Sequence, residues 1–375
     1  MTGQLIKRNE NTWLVRIFIG RDANGKRKYF NKTIHGSKKD AQKFLTAKNR
    51  EKDLGISIQP TLITLNEFLD KWLAESVKQK TREQTANNYA WLMQKYVRAT
   101  LGAKRISGIT TLDVQKLWNQ MTAKGLTPRT VRYTNTILKY AFKQAIQWNF
   151  LSKNPCEFCV LPRNIKKEMQ CLSPEQAVKF LETAKECKHF CLFLLAIETG
   201  LRPSEFLALK WKDINFEKAV LSVQRTLLEL PKGKFRFDEP KTLKSRRSIP
   251  LSNTLIAELK RHRRKQLEQK MKLGSDYQTF DLVFANETGL FFTKQHIRLL
   301  HFQPLLAKAG LPKIRLHDLR HLCASLLLAD GVSPKVIQER LGHSSISITL
   351  DIYSHILPSM QSDATSKLER MLKKG

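Results

Sequence analysis

The sequence predicts a multidomain α+β protein that is mostly helical, with one small sheet near the N-terminus and another in the C-terminal half. The chain has 375 residues, enough for two or three domains that each bury a core. The first 55 residues are strand-like, residues 61–161 show helical periodicity, and a strand-rich insertion at about 219–251 interrupts later helices. A single domain is therefore not expected.

The net charge is strongly positive. The chain has 66 Lys and Arg against 33 Asp and Glu, which gives +33 and indicates a polyanionic partner. Nucleic acid is favoured over a membrane surface, because no apolar run approaches roughly 18 residues. The N-terminal stretch MTGQLIKRNENTW also lacks a signal-type apolar run. We therefore expect a cytoplasmic protein that binds nucleic acid.

The cysteines are expected to be reduced thiols, because a large chain without secretory features seldom forms disulfides. They are Cys156, Cys159, Cys171, Cys187, Cys191 and Cys323. The first two have the spacing of zinc ligands, but no second pair of Cys or His lies at finger distance. The sequence thus predicts structural thiols and no metal site.

The N-terminal segment predicts a basic hairpin followed by a helix. Residues 12–19 and 28–34 are rich in β-branched and aromatic side chains, and Asn24-Gly25 between them is typical of a tight turn. Ser37 can cap a helix whose apolar positions Ala41, Phe44 and Leu45 pack on the sheet. The predicted DNA-groove contacts are Arg16, Arg21, Lys26, Arg27 and Lys28. The alternative is a solvated charged hairpin.

The middle of the chain predicts a helical bundle. Thr111 is placed to cap a helix that Gly125 ends, and Thr127-Pro128 is placed to begin the next helix. Basic residues occupy polar positions of this second helix, where they either hold DNA phosphates or are only solvated. They are Arg129, Arg132, Lys139 and Lys143.

The C-terminal half contains a series of cationic residues followed by a tyrosine. In chain order they are Arg202, Lys241, His317, Arg320, His343 and Tyr353. A phenol can attack a DNA phosphate if the added charge on the phosphate is neutralised and the departing sugar oxygen receives a proton. Guanidinium groups supply the charge, while histidine and lysine move protons. The series therefore predicts a site that attacks phosphodiesters.

Local signals place several of these residues. Gly200 permits a tight turn before Pro203, so Arg202 is expected at a helix N-terminus, where it can pair with Glu205. In LHDLRHLCASLLLADG, His317 and Arg320 are expected to share a helical face, with Arg320 at the border of the apolar arc.

The sequence leaves two roles open, that of His317 and that of the lysine that protonates the leaving oxygen. Ser333-Pro334 begins a helix that Gly342 ends, so that His343 emerges at the helix end. His317 either takes the phenolic proton or positions a phosphate oxygen, while His343 donates to the other non-bridging oxygen. Lys241 is the candidate that protonates the 5′ oxygen, and Lys244 is the competing candidate.

Five motifs carry a resemblance to a known family. ETGLRPSE, PKTLKSRRSIPL, HDLRH, LGHSS and the downstream Tyr353 occur in the order of the tyrosine recombinase (phage integrase) family, which this chain resembles. The resemblance implies an arm-site DNA-binding domain at 1–57 with a three-stranded sheet plus a helix. It further implies an all-helical core-site-binding domain at 61–163. The catalytic domain at 170–375 is implied to be mostly helical with a small antiparallel sheet.

The resemblance also implies a mechanism. Arg202, Lys241, His317, Arg320 and His343 would activate the phosphate, and Tyr353 would form a 3′-phosphotyrosyl link without metal or nucleotide cofactor. A homotetramer on core and arm sites, a directionality factor, and docking of the tail after Met360 on a neighbouring protomer would follow. The alternatives are a resolvase of chromosome dimers and a non-catalytic DNA-binding regulator.

Overall fold

The protein is mostly helical and contains small antiparallel sheets, as expected. The computed structural model describes residues 3–21, 25–53, 62–164, 171–230, 233–239, 246–353, 369 and 372–373. The chain divides into two compact units, Met1–Lys167 and Glu168–Gly375.

The strands and α-helices of the described residues are as follows. The strands are β1 (Gly3–Asn9), β2 (Thr12–Arg21), β3 (Arg27–His35), β4 (Ile214–Asn215), β5 (Val220–Val223), β6 (Thr226–Glu229), β7 (Phe235–Asp238) and β8 (Arg247–Pro250). The helices of the first unit are α1 (Lys38–Asp53), α2 (Leu65–Trp72), α3 (Lys78–Lys80), α4 (Glu83–Leu92), α5 (Ala99–Leu101), α6 (Thr111–Ala123) and α7 (Pro128–Gln147). Those of the second are α8 (Pro174–Ala184), α9 (Phe190–Thr199), α10 (Pro203–Phe206), α11 (Asn253–Leu273), α12 (Lys294–His296), α13 (Gln303–Lys308), α14 (Asp318–Ala329), α15 (Pro334–Leu341) and α16 (Ile346–Tyr353).

The N-terminal module, residues 3–53, is the expected three-stranded sheet plus helix. The strands pair antiparallel in the order β1-β2-β3. Val15 and Ile17 alternate to one face of β2 and are buried with Ala41 and Leu45 of α1, because period-2 alternation directs them to the same side of the sheet. Ser37 caps α1, since its hydroxyl accepts from the backbone N–H of Asp40. Asn24 of the predicted turn lies outside the described residues.

The helices α2 and α4 to α7 share one apolar core that includes Phe68, Trp72, Trp118 and Phe142. Thr127 caps α7 as expected. The predicted cap of α6 was wrong by one residue. Thr110 is the cap, because Asp113 lies three residues on: its N–H donates to the Thr110 hydroxyl over 3.2 Å, and its carboxylate accepts from the Thr110 N–H over 3.0 Å. Thr111 has apolar Val114 at that spacing, which cannot reciprocate.

The second unit has α9 at its centre. This helix, FCLFLLAIET, is apolar on nearly all sides, and most of its residues are buried. Phe193 packs with Phe180 of α8 and with Phe302, just before α13. The strand-rich insertion forms two antiparallel sheets, β4-β5-β8 and β6-β7, which confirms the sequence expectation. Pro231 and Lys232 of the predicted turn lie outside the described residues.

The elements that position the candidate site meet around α14. This helix packs against α9, α15 and α16, and α15 also contacts β8. Gly200 ends α9 with φ +63°, and a Cβ at this position would overlap Leu341 Cδ2 and lie 3.1 Å from Cys323 Sγ. Only glycine combines this left-handed conformation with such close packing. The turn that carries Arg202 is thereby held against α14 and α15.

Two further observations concern membranes and metals. Among the described helices, none is both long and apolar enough to cross a bilayer. All six cysteines lie in the described part of the chain and are free thiols. Within the same part, no group of three His, Cys, Asp or Glu side chains is arranged to hold a metal ion.

Candidate active site

Arg202 lies in the turn between α9 and α10, at the N-cap of α10 and directly before Pro203. Its Nη1 donates to Glu205 Oε1 over 2.6 Å and its Nη2 to the carbonyl of Gly342 over 3.2 Å. The Arg202 side chain remains 32% exposed. These two hydrogen bonds hold the guanidinium of Arg202 in place, and part of it remains open to solvent. The predicted pairing with Glu205 is present.

Glu205 is shared by a second arginine that the sequence analysis missed. Arg247 of β8 donates from Nη2 to Glu205 Oε2 over 2.9 Å and from Nε to the carbonyl of Arg340 over 2.6 Å. The side chains of Glu205 and Arg247 are only 1% and 6% exposed. Burial opposes ionisation of Glu205, but the charges of Arg247 and Arg202, with their hydrogen bonds, outweigh it and lower its pKa.

Arg320 of α14 is more deeply buried than expected, with 2% of its surface exposed. Its Nη1 donates to the carbonyl of Gly200 over 3.0 Å, whereas its Nη2 is buried without a hydrogen-bond partner among the described residues. Burial, followed by the charge of Arg202, lowers the pKa of Arg320 to about 9. The predicted position at the border of an apolar arc was wrong, because α9 covers this face of α14. A buried guanidinium nitrogen without a partner is costly, and a bound anion would satisfy it.

His317 is the N-cap residue of α14, so it precedes the helix rather than lying on its face. The turn is anchored by Arg315, whose Nη2 donates to Asp318 Oδ1 over 2.7 Å. His317 is exposed at the surface, yet its ring centroid lies 5.2 Å from that of His321. The protein surrounding the ring, followed by the charges of His321 and Arg320, lowers the pKa of His317 to about 4. The imidazole is therefore neutral at pH 7.

His343 follows Gly342, which ends α15 with φ +66° as predicted. The residue is buried, and its Nδ1 lies 2.9 Å from Thr349 Oγ1 of α16. Burial, followed by the positive charges of Arg320 and Arg202, lowers the pKa of His343 to about 3. His343 is therefore a neutral imidazole near two cations, a state in which one ring nitrogen can donate to an anion.

The remaining candidates are only partly described. Tyr353 is the last residue of α16, and its side chain lies outside the described part of the chain. Lys241 and Lys244 fall outside it too, in the connection between β7 and β8. The structure thus brings Arg202, Arg320 and His343 together, and His317 lies beside Arg320.

The cluster has an excess of positive charge. Arg202, Arg247 and Arg320 are opposed by one close carboxylate, Glu205, among the described residues. The Glu205 carboxylate accepts hydrogen bonds from Arg202 and Arg247. The Nη2 of Arg320 therefore remains able to donate to another acceptor. Such a cluster can hold a phosphate and stabilise additional negative charge on its oxygens.

The predicted contacts of the N-terminal module lie on β2 and β3 or beside them. The guanidinium of Arg16 stacks 4.0 Å above the ring of Tyr29. Arg21 donates from Nη1 to the carbonyl of Gly25 over 2.9 Å. Lys26, Arg27 and Lys28 are exposed. The module therefore presents a basic, partly aromatic ribbon.

The predicted contacts of the helical part share one face of α7. At 100° per residue, Arg129, Arg132, Lys139 and Lys143 fall within about 80° of its circumference, and all four are exposed.

Aromatic residues that the sequence analysis missed extend this face. Tyr133 and Tyr140 are 42% and 37% exposed and follow the basic residues around the helix. Asn88 of α4 donates to the Tyr133 hydroxyl over 3.2 Å, so α4 continues the surface. The signal was present in the sequence, since two tyrosines seven residues apart fall among polar positions of one helix.

Comparison with protein families gives two matches. Residues 64–122 match the "Phage integrase, N-terminal SAM-like domain". Residues 170–360, just over half of the chain, match the "Phage integrase family". The chain belongs to the phage integrase family. The matched range contains every residue of the candidate active site of this integrase.

Individual relatives of the integrase cover between 77% and 97% of its length. A "Tyrosine recombinase XerC-like" protein of Caldanaerobacter subterraneus subsp. tengcongensis is 33% identical over 97% of both chains. The "ICEBs1 integrase" of Bacillus subtilis is 28% identical over 84% of this chain and 83% of the relative. A solved fragment of the Tn1549 transposon integrase, bound to a circular intermediate DNA, superimposes with a TM-score of 0.68 at 26% identity, over 77% of this chain and 95% of the fragment.

Membership determines the class of reaction. The protein is a tyrosine recombinase of the integrase type, an enzyme that cleaves and rejoins DNA strands by transesterification. The basic cluster around Arg202 and Arg320 is compatible with this chemistry, because transesterification at phosphorus builds negative charge on the non-bridging oxygens.

Proposed function

We propose that this recombinase integrates and excises a mobile DNA element, with Tyr353 as the nucleophile. The observation that carries the proposal is the convergence of Arg202, Arg320 and His343. These three residues come from separate stretches of the chain, yet Arg202 donates to the carbonyl of Gly342, the residue before His343, and Arg320 donates to the carbonyl of Gly200, two residues before Arg202. The buried Arg320 nitrogen without a partner supports a phosphate at the same place.

The proposed reaction is balanced without a cofactor. The Tyr353 oxygen attacks the phosphorus, the bond to the 5′ oxygen breaks, and a 3′-phosphotyrosyl link and a free 5′ hydroxyl result. Arg202 and Arg320 neutralise the non-bridging oxygens, and His343 donates a hydrogen bond to one of them. His317 takes the phenolic proton or positions an oxygen, and Lys241, with Lys244 as the alternative, protonates the leaving oxygen. A 5′ hydroxyl from the partner duplex reverses the step.

We assign one role on DNA to each of three parts of the chain. Residues 1–57 bind arm sites, residues 61–163 bind core sites, and residues 170–375 carry out catalysis. The stacked Arg16 and the basic face of α7 support the two binding roles. The Tn1549 transposon integrase fragment, which is bound to a circular intermediate DNA, and the relative named ICEBs1 integrase support a mobile element as substrate.

The assembly follows from the number of strands exchanged. Two duplexes contain four strands, and each strand needs one tyrosine, so the active form is a homotetramer on paired sites. Within it, the tail after Met360 docks on a neighbouring protomer, and a directionality factor selects integration or excision. The reaction takes place in the cytoplasm, with the DNA.

The core-site role predicts a defined salt effect. Replacing both Lys139 and Lys143 with alanine is expected to weaken core-site binding about equally for all sequences, because phosphate contacts carry no base information. The slope of log affinity against log salt is expected to fall by about 1 per lost contact. Titration of labelled core DNA at several salt concentrations measures both. Lys185→Ala, which removes an exposed lysine paired with Glu182, is the control and leaves the slope unchanged.

The alternative is a resolvase of chromosome dimers, which the name of the XerC-like relative favours. Deletion of the first 55 residues separates the two functions. For an integrase, the truncated protein is expected to lose integration between full attachment sites and to keep weak cleavage at isolated core sites. Recombination assays with full sites and with core sites measure this. Normal integration by the truncated protein would overturn the arm-binding role.

A further inference from the structure

The hydrogen bond between His343 and Thr349 joins two helices. His343 follows α15, and its backbone N–H and carbonyl bond to Gln338 of that helix over 3.1 and 3.2 Å. Its ring, in contrast, is held from α16, where Thr349 Oγ1 lies 2.9 Å from Nδ1. Both residues are buried, at 5% and 0% exposure. The backbone of the histidine thus belongs to one helix, and the orientation of its ring depends on the next.

Thr349 uses its hydroxyl differently from several other threonines in or directly after helices of this protein. In the described residues, six threonine hydroxyls donate to the carbonyl four residues back, as is usual within a helix. They are Thr81, Thr122, Thr134, Thr136, Thr183 and Thr199. Thr349 has the same local option, since Ser345 lies four residues before it, yet its hydroxyl bonds to His343.

The direction of this hydrogen bond follows from the chemistry of the site. Phosphate oxygens only accept hydrogen bonds, so a neutral His343 that contacts a phosphate must carry its proton on Nε2. Nδ1 is then without a proton, and the Thr349 hydroxyl must be the donor. Loss of this donor would leave both the tautomer and the rotation of the ring unspecified.

We propose that Thr349 is a positioning residue, which donates to His343 Nδ1 and so makes correct orientation of the phosphate-binding histidine depend on docking of α16. Tyr353 ends the same helix, one turn after Thr349. Docking of α16 therefore brings the tyrosine to the site and completes the orientation of His343 in one movement. This inference rests on the proposed role of His343 and Tyr353.

The test compares pairs of variants that differ by one hydroxyl. Thr349→Val keeps the size of the side chain, and it is expected to slow covalent adduct formation on a suicide duplex carrying the enzyme's own core site about tenfold. DNA affinity is expected to stay within about twofold. Thr349→Ser is expected to retain most of the rate. Ser347→Ala, which removes an exposed hydroxyl of the same helix, is the matched control.

A double-mutant cycle separates positioning from general destabilisation. In a His343→Ala background, Thr349→Val is expected to change the adduct rate by less than about twofold, because the group on which it acts is gone. The same factor in both backgrounds, a wild-type rate for Thr349→Val, or a Ser variant as slow as the Val variant would overturn the inference. If Thr349→Val does not fold, the Ser and Ala variants provide the same one-hydroxyl comparison.

The proposed nucleophile Tyr353 and the proposed positioning role of Thr349 can be tested separately. Adducts formed by Tyr353→Phe on this DNA would overturn the proposed function together with the inference. Inactive Tyr353→Phe combined with a normal Thr349→Val would overturn only the positioning role.

Discussion

Tyr353→Phe is expected to lower covalent protein–DNA adduct formation at least about 10⁴-fold, because only the attacking oxygen is removed. Binding to core-site DNA is expected to stay within about twofold, since Arg202 and Arg320, the proposed phosphate-binding residues, are unchanged. Denaturing electrophoresis of the protein on a labelled suicide duplex measures adducts, and a gel shift measures binding.

The control for this variant is Tyr277→Phe, which removes a phenolic oxygen elsewhere in the second unit. Burial raises the pKa of Tyr277, which makes it a poor source of phenolate. The control is expected to form adducts at the wild-type rate. Adducts from Tyr353→Phe would contradict the assignment of the nucleophile. A wild-type protein that binds the duplex without forming adducts would favour the non-catalytic regulator.

Glu205→Gln is expected to destabilise the second unit by about 3 kcal/mol, because it removes the buried carboxylate charge with which the guanidinium of Arg247 pairs. The same change weakens the hold on Arg202, whose Nη1 lies 2.6 Å from Glu205 Oε1, because the ion pair is lost. Adduct formation at a temperature where the variant is folded is therefore expected to fall at least about tenfold. Thermal unfolding and the adduct rate are the two measurements.

Acid should reduce the difference between wild type and this variant. Because the pKa of Glu205 is lowered in the folded protein, the stability it contributes is fully present above the ordinary glutamate pKa of about 4.3. That stability is lost as the pH falls through the folded pKa. The difference in unfolding free energy is thus constant near pH 7 and shrinks below about pH 4.

A surface glutamate gives the matched control for Glu205. Glu182 pairs with Lys185 over 2.7 Å, and both side chains are more than half exposed. Glu182→Gln is expected to change stability by less than about 1 kcal/mol and to leave the adduct rate unchanged. Equal effects of the two substitutions would contradict the positioning role of Glu205.

Features with local signals were predictable from the sequence. Ser333 and Gly342 bound α15 as expected, because a capping hydroxyl and a left-handed glycine act within one helical turn. Thr110 displaced Thr111 as the cap of α6 through an equally local contact with Asp113. The cap is decided by the residue type three positions on, which is Asp113 for Thr110 and Val114 for Thr111.

Features that depend on distant pairing were not predictable. Glu205 and Arg247 are 42 residues apart, and Asn88 and Tyr133 are 45 residues apart, so no periodicity connects them. Burial of Arg320 depends on how α9 covers α14, which a helical wheel cannot show. Proximity in sequence likewise says nothing about whether Thr349 bonds to its own helix or to a histidine.

The pairing of Glu205 with Arg247 has a consequence for integrase genes in mobile DNA elements that have lost the ability to recombine. A decayed copy that no longer recombines is released from selection on its nucleophile, whereas loss of one member of this buried ion pair would still destabilise the polypeptide. Copies retained only as DNA-bound repressors should therefore exchange both members of this pair for neutral side chains, or neither. Joint loss at these two positions, 42 residues apart, would mark a gene whose product still folds but has ceased to move DNA.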